Sequence, residues 1–177
     1  MIPDSLKRLL QAAAAGGCAV VVAGVLVSWF EPAKDRGKPY RDATGIWTVC
    51  DGHTGPDVDP SKQYSDAECD ALRDADLAEA NAIFERWVPQ DVRRRMPAAA
   101  AGGFISFIFN VGPGKPGKKD GFVWLKNGRH STMLLRLQAG DIAAACGQLD
   151  AWIQAGGKVL PGLVNRRNAE EWVCLQP

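Results

Sequence analysis

The hydrophobic and polar positions of this chain fall into two regimes. A run of 22 uncharged residues, Leu9 to Phe30, opens it. Beyond that run, short β-type stretches give way to helical periodicity. Residues 35 to 64 are rich in Gly, Pro, Asp and Thr, and Ile46–Val49 is the one clear strand, so this stretch predicts a small hairpin lobe. Ser65-Asp66-Ala67-Glu68 matches a capping box, which predicts a helix running to about Trp87, with Pro89 ending it. Pro97 and Ala98–Ala101 lead into the apolar run Phe104–Phe109, a buried central helix. Gly112–Lys119 reads as a connector. Ser131 or Thr132 caps a helix that Gly140 closes, Asp141 caps another through about Gln154, and a last helix runs from about Pro161 to Cys174. The fold class expected is α+β: a small β lobe and a larger helical lobe with a cleft between them, preceded by an N-terminal apolar helix.

As one helix the opening run would extend about 33 Å, enough for a bilayer core. Gln11, Ala12–Ala15, Gly16, Gly17, Gly24 and Ser28 dilute its valines and leucines, so its insertion is marginal. Lys7 and Arg8 keep the N-terminus cytoplasmic and send the rest outward. A weak, escapable anchor over residues 1–30 is the leading reading, followed by a domain over 31–177. A permanent anchor, a cleaved leader and a buried soluble helix are the alternatives. A lipoprotein signal at Cys18 fits poorly, because the most apolar part, Val20–Val27, follows the cysteine.

The balance of the chain, 46% hydrophobic and 23% charged with a formal net charge of +1, gives no reason to expect nucleic acid as a partner. Arg93–Arg95 and the lysines at 115, 118 and 119 form basic clusters, read first as solvated surface and second as attraction to an anionic wall polymer. Five cysteines without a CxxC pair, and two histidines, make a zinc site unexpected. Four of the cysteines lie outside the apolar run, an even number that fits two disulfides in an oxidising compartment.

Where the apolar run ends, candidate chemistry begins. Glu31, Asp42 eleven positions on and Thr48 six positions further stand among turn-forming glycines. Glycosidic hydrolysis needs one carboxyl that gives a proton and one carboxylate that activates water or attacks carbon. Glu31, next to Trp29 and Phe30, is expected in an apolar setting that keeps it protonated. Asp42, beside Arg41 in a polar turn, is expected ionised, with Thr48 holding the water. His53 is expected to hydrogen-bond structurally, and His130 to be a loop residue. Asn110 either caps its loop or lines the saccharide cleft.

Tyr40-Arg41-Asp42, Gly45 with Thr48, and Gly52-His53-Thr54 resemble the active-site region of phage-type lysozymes, glycoside hydrolase family 24. The similarity continues through Ser106–Gly112, Ser131–Arg136, Gly140-Asp141, Trp152, Gly156-Gly157 and Gly162–Arg167, and so covers nearly all of residues 29 to 177. Two features depart from the family pattern: Pro32 follows the glutamate where glycine is common, and the Glu31-to-Asp42 spacing is about two residues long. The resemblance implies a lysozyme-like fold and hydrolysis, with inversion, of the β-1,4 bond between N-acetylmuramic acid and N-acetylglucosamine in peptidoglycan. Glu31 would be the acid, Asp42 the water-activating partner and Thr48 its aid, with no cofactor or metal and a monomeric chain. Inversion calls for carboxyls roughly 6.5–9.5 Å apart. With the apolar run, the chain resembles the signal-arrest-release endolysins, exported to the periplasm, tethered to the host inner membrane through residues 9–30, then released to act. The expected pairing is Cys50–Cys69 and Cys146–Cys174 with Cys18 free. Some relatives place a cysteine beside the glutamate as a redox switch; here Pro32 and Ala33 stand there, and Cys50 is the nearest candidate. A lytic transglycosylase and a permanently anchored wall-binding protein are the rival functions.

Overall fold

The computed structural model describes residues 2–31, 35–42 and 45–177. The apolar run is not one helix. It belongs to a helical hairpin, α1 (Asp4–Ala15) and α2 (Ala19–Phe30), broken at Gly16-Gly17-Cys18. Gly17 sits at φ +71°, a left-handed conformation that glycine adopts without a Cβ penalty. The amides of Gly16 and Gly17 close the first helix on Ala13 and Ala14. The break replaces a membrane-length rod with two 12-residue pieces, and no helix among the described residues is long and apolar enough to cross a membrane. Pro32 and Ala33, singled out in the sequence, lie outside the described residues.

The hairpin is part of the core. Leu6 and Leu10 of α1 meet Val22 and Leu26 of α2 over Ala169 and Val173 near the C-terminus. Ala23 and Val27 turn to the main core, among Leu77, Phe84 and Phe104. Val22, Leu26 and Val27 are fully buried, and each such side chain contributes about 2 kcal/mol by leaving water.

The β lobe is a three-stranded antiparallel sheet, β1 (Tyr40–Arg41), β2 (Trp47–Val49) and β3 (His53–Thr54), in that order. Tyr40 pairs with Thr48, and Thr48 with Thr54, so these three side chains share one face. The lobe is fastened to α3 (Asp66–Trp87) by the Cys50–Cys69 disulfide and by Arg36. Arg36 donates to Asp51 at 2.6 and 3.0 Å and to Asp70 at 2.6 Å. Hydrogen bonding to Asp51 and then Asp70 raises the Arg36 pKa, and the same guanidinium lowers that of Asp70. The capping box at Ser65 forms as expected, with Ser65 Oγ accepting from the Glu68 amide and Glu68 accepting from the Ser65 amide.

After a short α4 (Gln90–Arg95) comes α5 (Ala98–Val111), the helix around which the rest is arranged. Its residues from Gly102 to Ile108 are all buried. Phe104 stacks on Phe84 with centroids 6.3 Å apart, and Phe107 meets Trp152 edge-on at 5.1 Å. Ser131 caps α6 (Thr132–Gln138) through the Leu134 amide. Asp141 caps α7 through the Ala144 amide, but α7 (Ile142–Cys146) stops well before Gln154. Beyond α7 the chain makes a short 3-10 helix, Leu149–Ala151, where the expected helix would continue. Between the two expected helices, Gln154–Ala155 and Lys158–Val159 form a hairpin, β4–β5, over Gly156 and Gly157 at φ +58° and +74°, and two glycines with positive φ make its turn. The final helix, α8, is Pro161–Cys174, joined to α7 by Cys146–Cys174, and Cys18 is free and exposed. Both expected disulfides are therefore present. The Gly112–Lys119 connector is a braced turn, with Lys115 paired to Lys119 and the Gly112 carbonyl accepting from Phe122.

Candidate active site

Glu31 ends α2, its amide donating to the Val27 carbonyl at 3.0 Å. The helix therefore decides where the carboxyl stands. Its Oε1 accepts a hydrogen bond from Arg166 Nη1 on α8, and its side chain is 27% exposed. Across from it is the turn between β2 and β3: a β-carbon at Gly52 would lie 3.7 Å from Glu31 Oε2. The apolar surroundings expected from Trp29 and Phe30 are not what the carboxyl meets. Those rings pack into the core cluster beneath α1, and the carboxyl faces an arginine and a backbone turn.

Arg166 belongs to a buried polar network that the sequence reading passed over. Arg166 Nε donates to Glu170 Oε1 at 3.1 Å, Ser106 Oγ donates to the same oxygen at 2.7 Å, and Arg167 donates to Glu170 Oε2 and to Asn110 Oδ1. Ser106, Arg167 and Glu170 are fully buried and Arg166 nearly so. Burial lowers the Arg167 pKa, and Glu170 opposes that shift. Buried charges persist only when paired and hydrogen-bonded. Here two guanidiniums, two carboxylates and a hydroxyl pair with one another between α5, α8 and the end of α2, leaving Arg167 Nε without a hydrogen-bond partner among the described residues. Asn110 thus holds Arg167, a role neither sequence alternative named. A usable signal was present: Arg166-Arg167 followed by Glu170 on one helix, opposite a lone serine in an apolar helix.

Asp42 is placed locally. Its amide donates to the Ile46 carbonyl at 3.0 Å, its Oδ1 accepts from the Ile46 amide at 2.9 Å, and its carbonyl accepts from Gly45, which sits at φ +82°. An Asp bonding a backbone amide a few residues ahead is ordinary turn chemistry. Thr48, 2% exposed, donates its hydroxyl to the same Ile46 carbonyl at 3.2 Å, so it and Asp42 are joined through Ile46. Burial, then the charge of Glu31, then that of Asp42, raise the Tyr40 phenol pKa.

His53 Nδ1 lies 2.9 Å from Asp76 of α3 and Nε2 lies 3.2 Å from Asp57. Burial opposes charge on the imidazole, but Asp76 and then Asp57 outweigh it and raise the His53 pKa. It clamps the β lobe to α3, the structural role expected. His130 accompanies Trp124 at 4.1 Å and Trp87 at 5.4 Å, away from the acids. A groove of about 180 Å³ runs between the lobes, lined by Gly52 and Thr54 on one side and Glu79, Phe109 and Pro113 on the other.

A small sheet facing a larger helical lobe is a lysozyme-like arrangement. The phage lysozyme family matches residues 34–170. The SAR-endolysin of Enterobacteria phage PA-2 is 39% identical over 180 residues, covering 98% of both chains. That of bacteriophage PS34 is 39% identical over 177 residues, covering 97% of this chain and 95% of its own. The crystal structure of the active form of the P1 phage endolysin Lyz shares the fold, with a TM-score of 0.71 at 22% identity, over 97% of this chain and 92% of that one. This chain belongs to the phage lysozyme family.

Proposed function

We propose that this lysozyme hydrolyses the β-1,4 bond between N-acetylmuramic acid and N-acetylglucosamine in peptidoglycan, with Glu31 as general acid and Asp42 as the group that activates water. Thr48 gives its hydroxyl proton to the Ile46 carbonyl, which also accepts from the Asp42 amide, and its oxygen accepts from the water. The observation that carries this reading is the placement of Glu31 against the small sheet: a β-carbon at Gly52, in the β2–β3 turn, would lie 3.7 Å from its Oε2, and the same sheet bears Asp42, joined to Thr48 through the Ile46 carbonyl. Protonation of the leaving oxygen from one side and activation of water on the other is the chemistry of an inverting glycosidase. Replacing Glu31 by Gln keeps the shape and removes the proton, so the rate of turbidity loss in wall suspensions falls by about 10²- to 10⁴-fold. Unchanged lysis would remove Glu31 from the mechanism. Mass analysis of the digest separates hydrolysis from transglycosylation, because reducing ends support this reading and anhydro ends refute it.

We further infer that the enzyme is exported, held at the inner membrane by residues 9–30 and released. Support comes from the 22-residue uncharged run and from two near-full-length relatives described as SAR-endolysins. In the bilayer the run cannot also pack on α5, and Glu31 stays away from Arg166. Release and assembly of the site are then one event. Cell fractionation before and after collapse of the membrane potential tests this: enzyme should move from membrane to soluble fraction, and enzyme that never leaves the membrane refutes it.

A further inference from the structure

Two adjacent glycines occupy the middle of α5, where each costs about 1 kcal/mol of helix propensity relative to alanine. Four alanines, Ala98–Ala101, stand directly before them. What separates the glycines from those alanines is the space around them. A β-carbon on Gly102 would lie 2.5 Å from Val22 Cβ and 2.8 Å from the Ala19 carbonyl oxygen, both on α2. A β-carbon on Gly103 would lie 2.9 Å from the Glu170 carbonyl oxygen, on α8. Heavy atoms do not approach so closely, so a methyl at either position would push a helix away.

The two displaced helices carry the two halves of the ion pair. Val22 lies nine positions before Glu31 on or at the end of the same helix, a rise of about 13.5 Å. Glu170 lies one turn after Arg166 and accepts from its Nε. Ser106, one turn beyond the glycines on α5, completes the junction by donating to Glu170. We infer that Gly102 and Gly103 are positioning residues for catalysis: by letting α2 and α8 close onto α5, they set the meeting of Glu31 with Arg166. The inference rests on the proposed role of Glu31. It makes α5 the receiver of the released N-terminal segment, because α2 can seat only where residue 102 has no side chain.

The test compares three substitutions in the full, released chain, with kcat and KM on soluble glycan strands and melting temperature read together. Gly102→Ala should fold and melt lower, and its kcat should drop by about 100-fold, the effect of an ångström-scale misplacement, with KM within about twofold. Gly24→Ala is the matched control on α2: its methyl would meet only Leu77 Cδ1, at 3.7 Å, and kcat should be unchanged. Leu137→Ala opens a cavity in the helical lobe, away from the seam, and should lower the melting temperature with kcat retained. A crystal structure of the Gly102→Ala protein should show the Glu31–Arg166 ion pair opened. If kcat tracks melting temperature across the three variants, or the ion pair persists, the inference is overturned. Should Gly102→Ala fail to fold, Gly103→Ala takes its place with the same kcat and KM split. Failure of both to fold would also overturn the inference, by assigning the glycines to folding alone. An active Glu31→Gln enzyme would sink the catalytic reading of Glu31, whereas an intact ion pair in the Gly102→Ala crystal would sink only the inference about the glycines.

Discussion

The two proposed catalytic carboxyls are held by opposite means. Asp42 is held by a turn whose hydrogen bonds span three to four residues, from Asp42 to Gly45 and Ile46. Glu31 is held by Arg166, 135 positions away in the chain, and by an apolar hairpin seated on α5. The β lobe is polar and cross-linked by a disulfide and the Arg36 ion pairs; the N-terminal hairpin has no disulfide, pairs Lys7 with Asp4 only within α1, and relies on burial and on the Glu31–Arg166 pair at its end. An acid held locally is in place whenever its strand forms. An acid held by a distant partner is in place only when the whole helical lobe is assembled, which is why the proposed control by release acts on Glu31.

The contrast is sharpest in activity. Asp42→Asn retains an oxygen that can accept from the Ile46 amide, so the turn survives while the charge is lost. Turnover should fall by about 10²- to 10⁴-fold, with the melting temperature nearly unchanged. A large loss of stability would show that Asp42 serves the fold first.

Arg166→Met breaks the comparison from the other side. It leaves Glu170 buried without one of its partners, at a cost of about 3–5 kcal/mol. Denaturant unfolding measures that cost, and turnover should fall as well because Glu31 loses its anchor. Stability lost without activity would separate Arg166 from the site.

Next come the cross-links. Cys50–Cys69 closes 19 positions and Cys146–Cys174 closes 28. Loops of this size predict about 3 kcal/mol each when Cys69 or Cys174 is replaced by Ser, read by denaturant midpoint. The Cys174→Ser variant should lose more activity than its stability alone explains, since that bond ties down α8 and hence Arg166.

The smallest effect concerns His53. Its pKa is raised above the ordinary 6.5 by Asp76 and Asp57 against the opposing effect of burial. The charged pair therefore adds stability fully below about pH 6.5, and that stability is lost as pH climbs through the raised value. His53→Gln should destabilise the protein by about 1 kcal/mol in mildly acidic buffer, with the difference shrinking at alkaline pH. A pH-independent difference would mean that packing, not charge, is what His53 supplies.

Local signals made much of this molecule readable in advance. The capping box at Ser65, the caps at Ser131 and Asp141, the start of α8 at Pro161 and the hairpin lobe all follow from residues within a few positions of one another. The end of α7 is not legible because Gly147 closes it in an ordinary helical conformation, and the β4–β5 hairpin is not because its strands are only two residues long. Glu31, Asp42 and Thr48 were legible as candidates from motif order. Their geometry was not, because Arg166, Ser106 and Glu170 lie far from them in sequence and nothing local links them.

Sequence alone determined that residues 9–30 carry no charge and are diluted by small residues, since that is a matter of composition summed along the chain. Only the tertiary structure decided that the run breaks at Gly17, lies against Gly102 and delivers Glu31 to Arg166. Close packing is a property of pairs of surfaces, and neither surface carries the other's shape in its own residues.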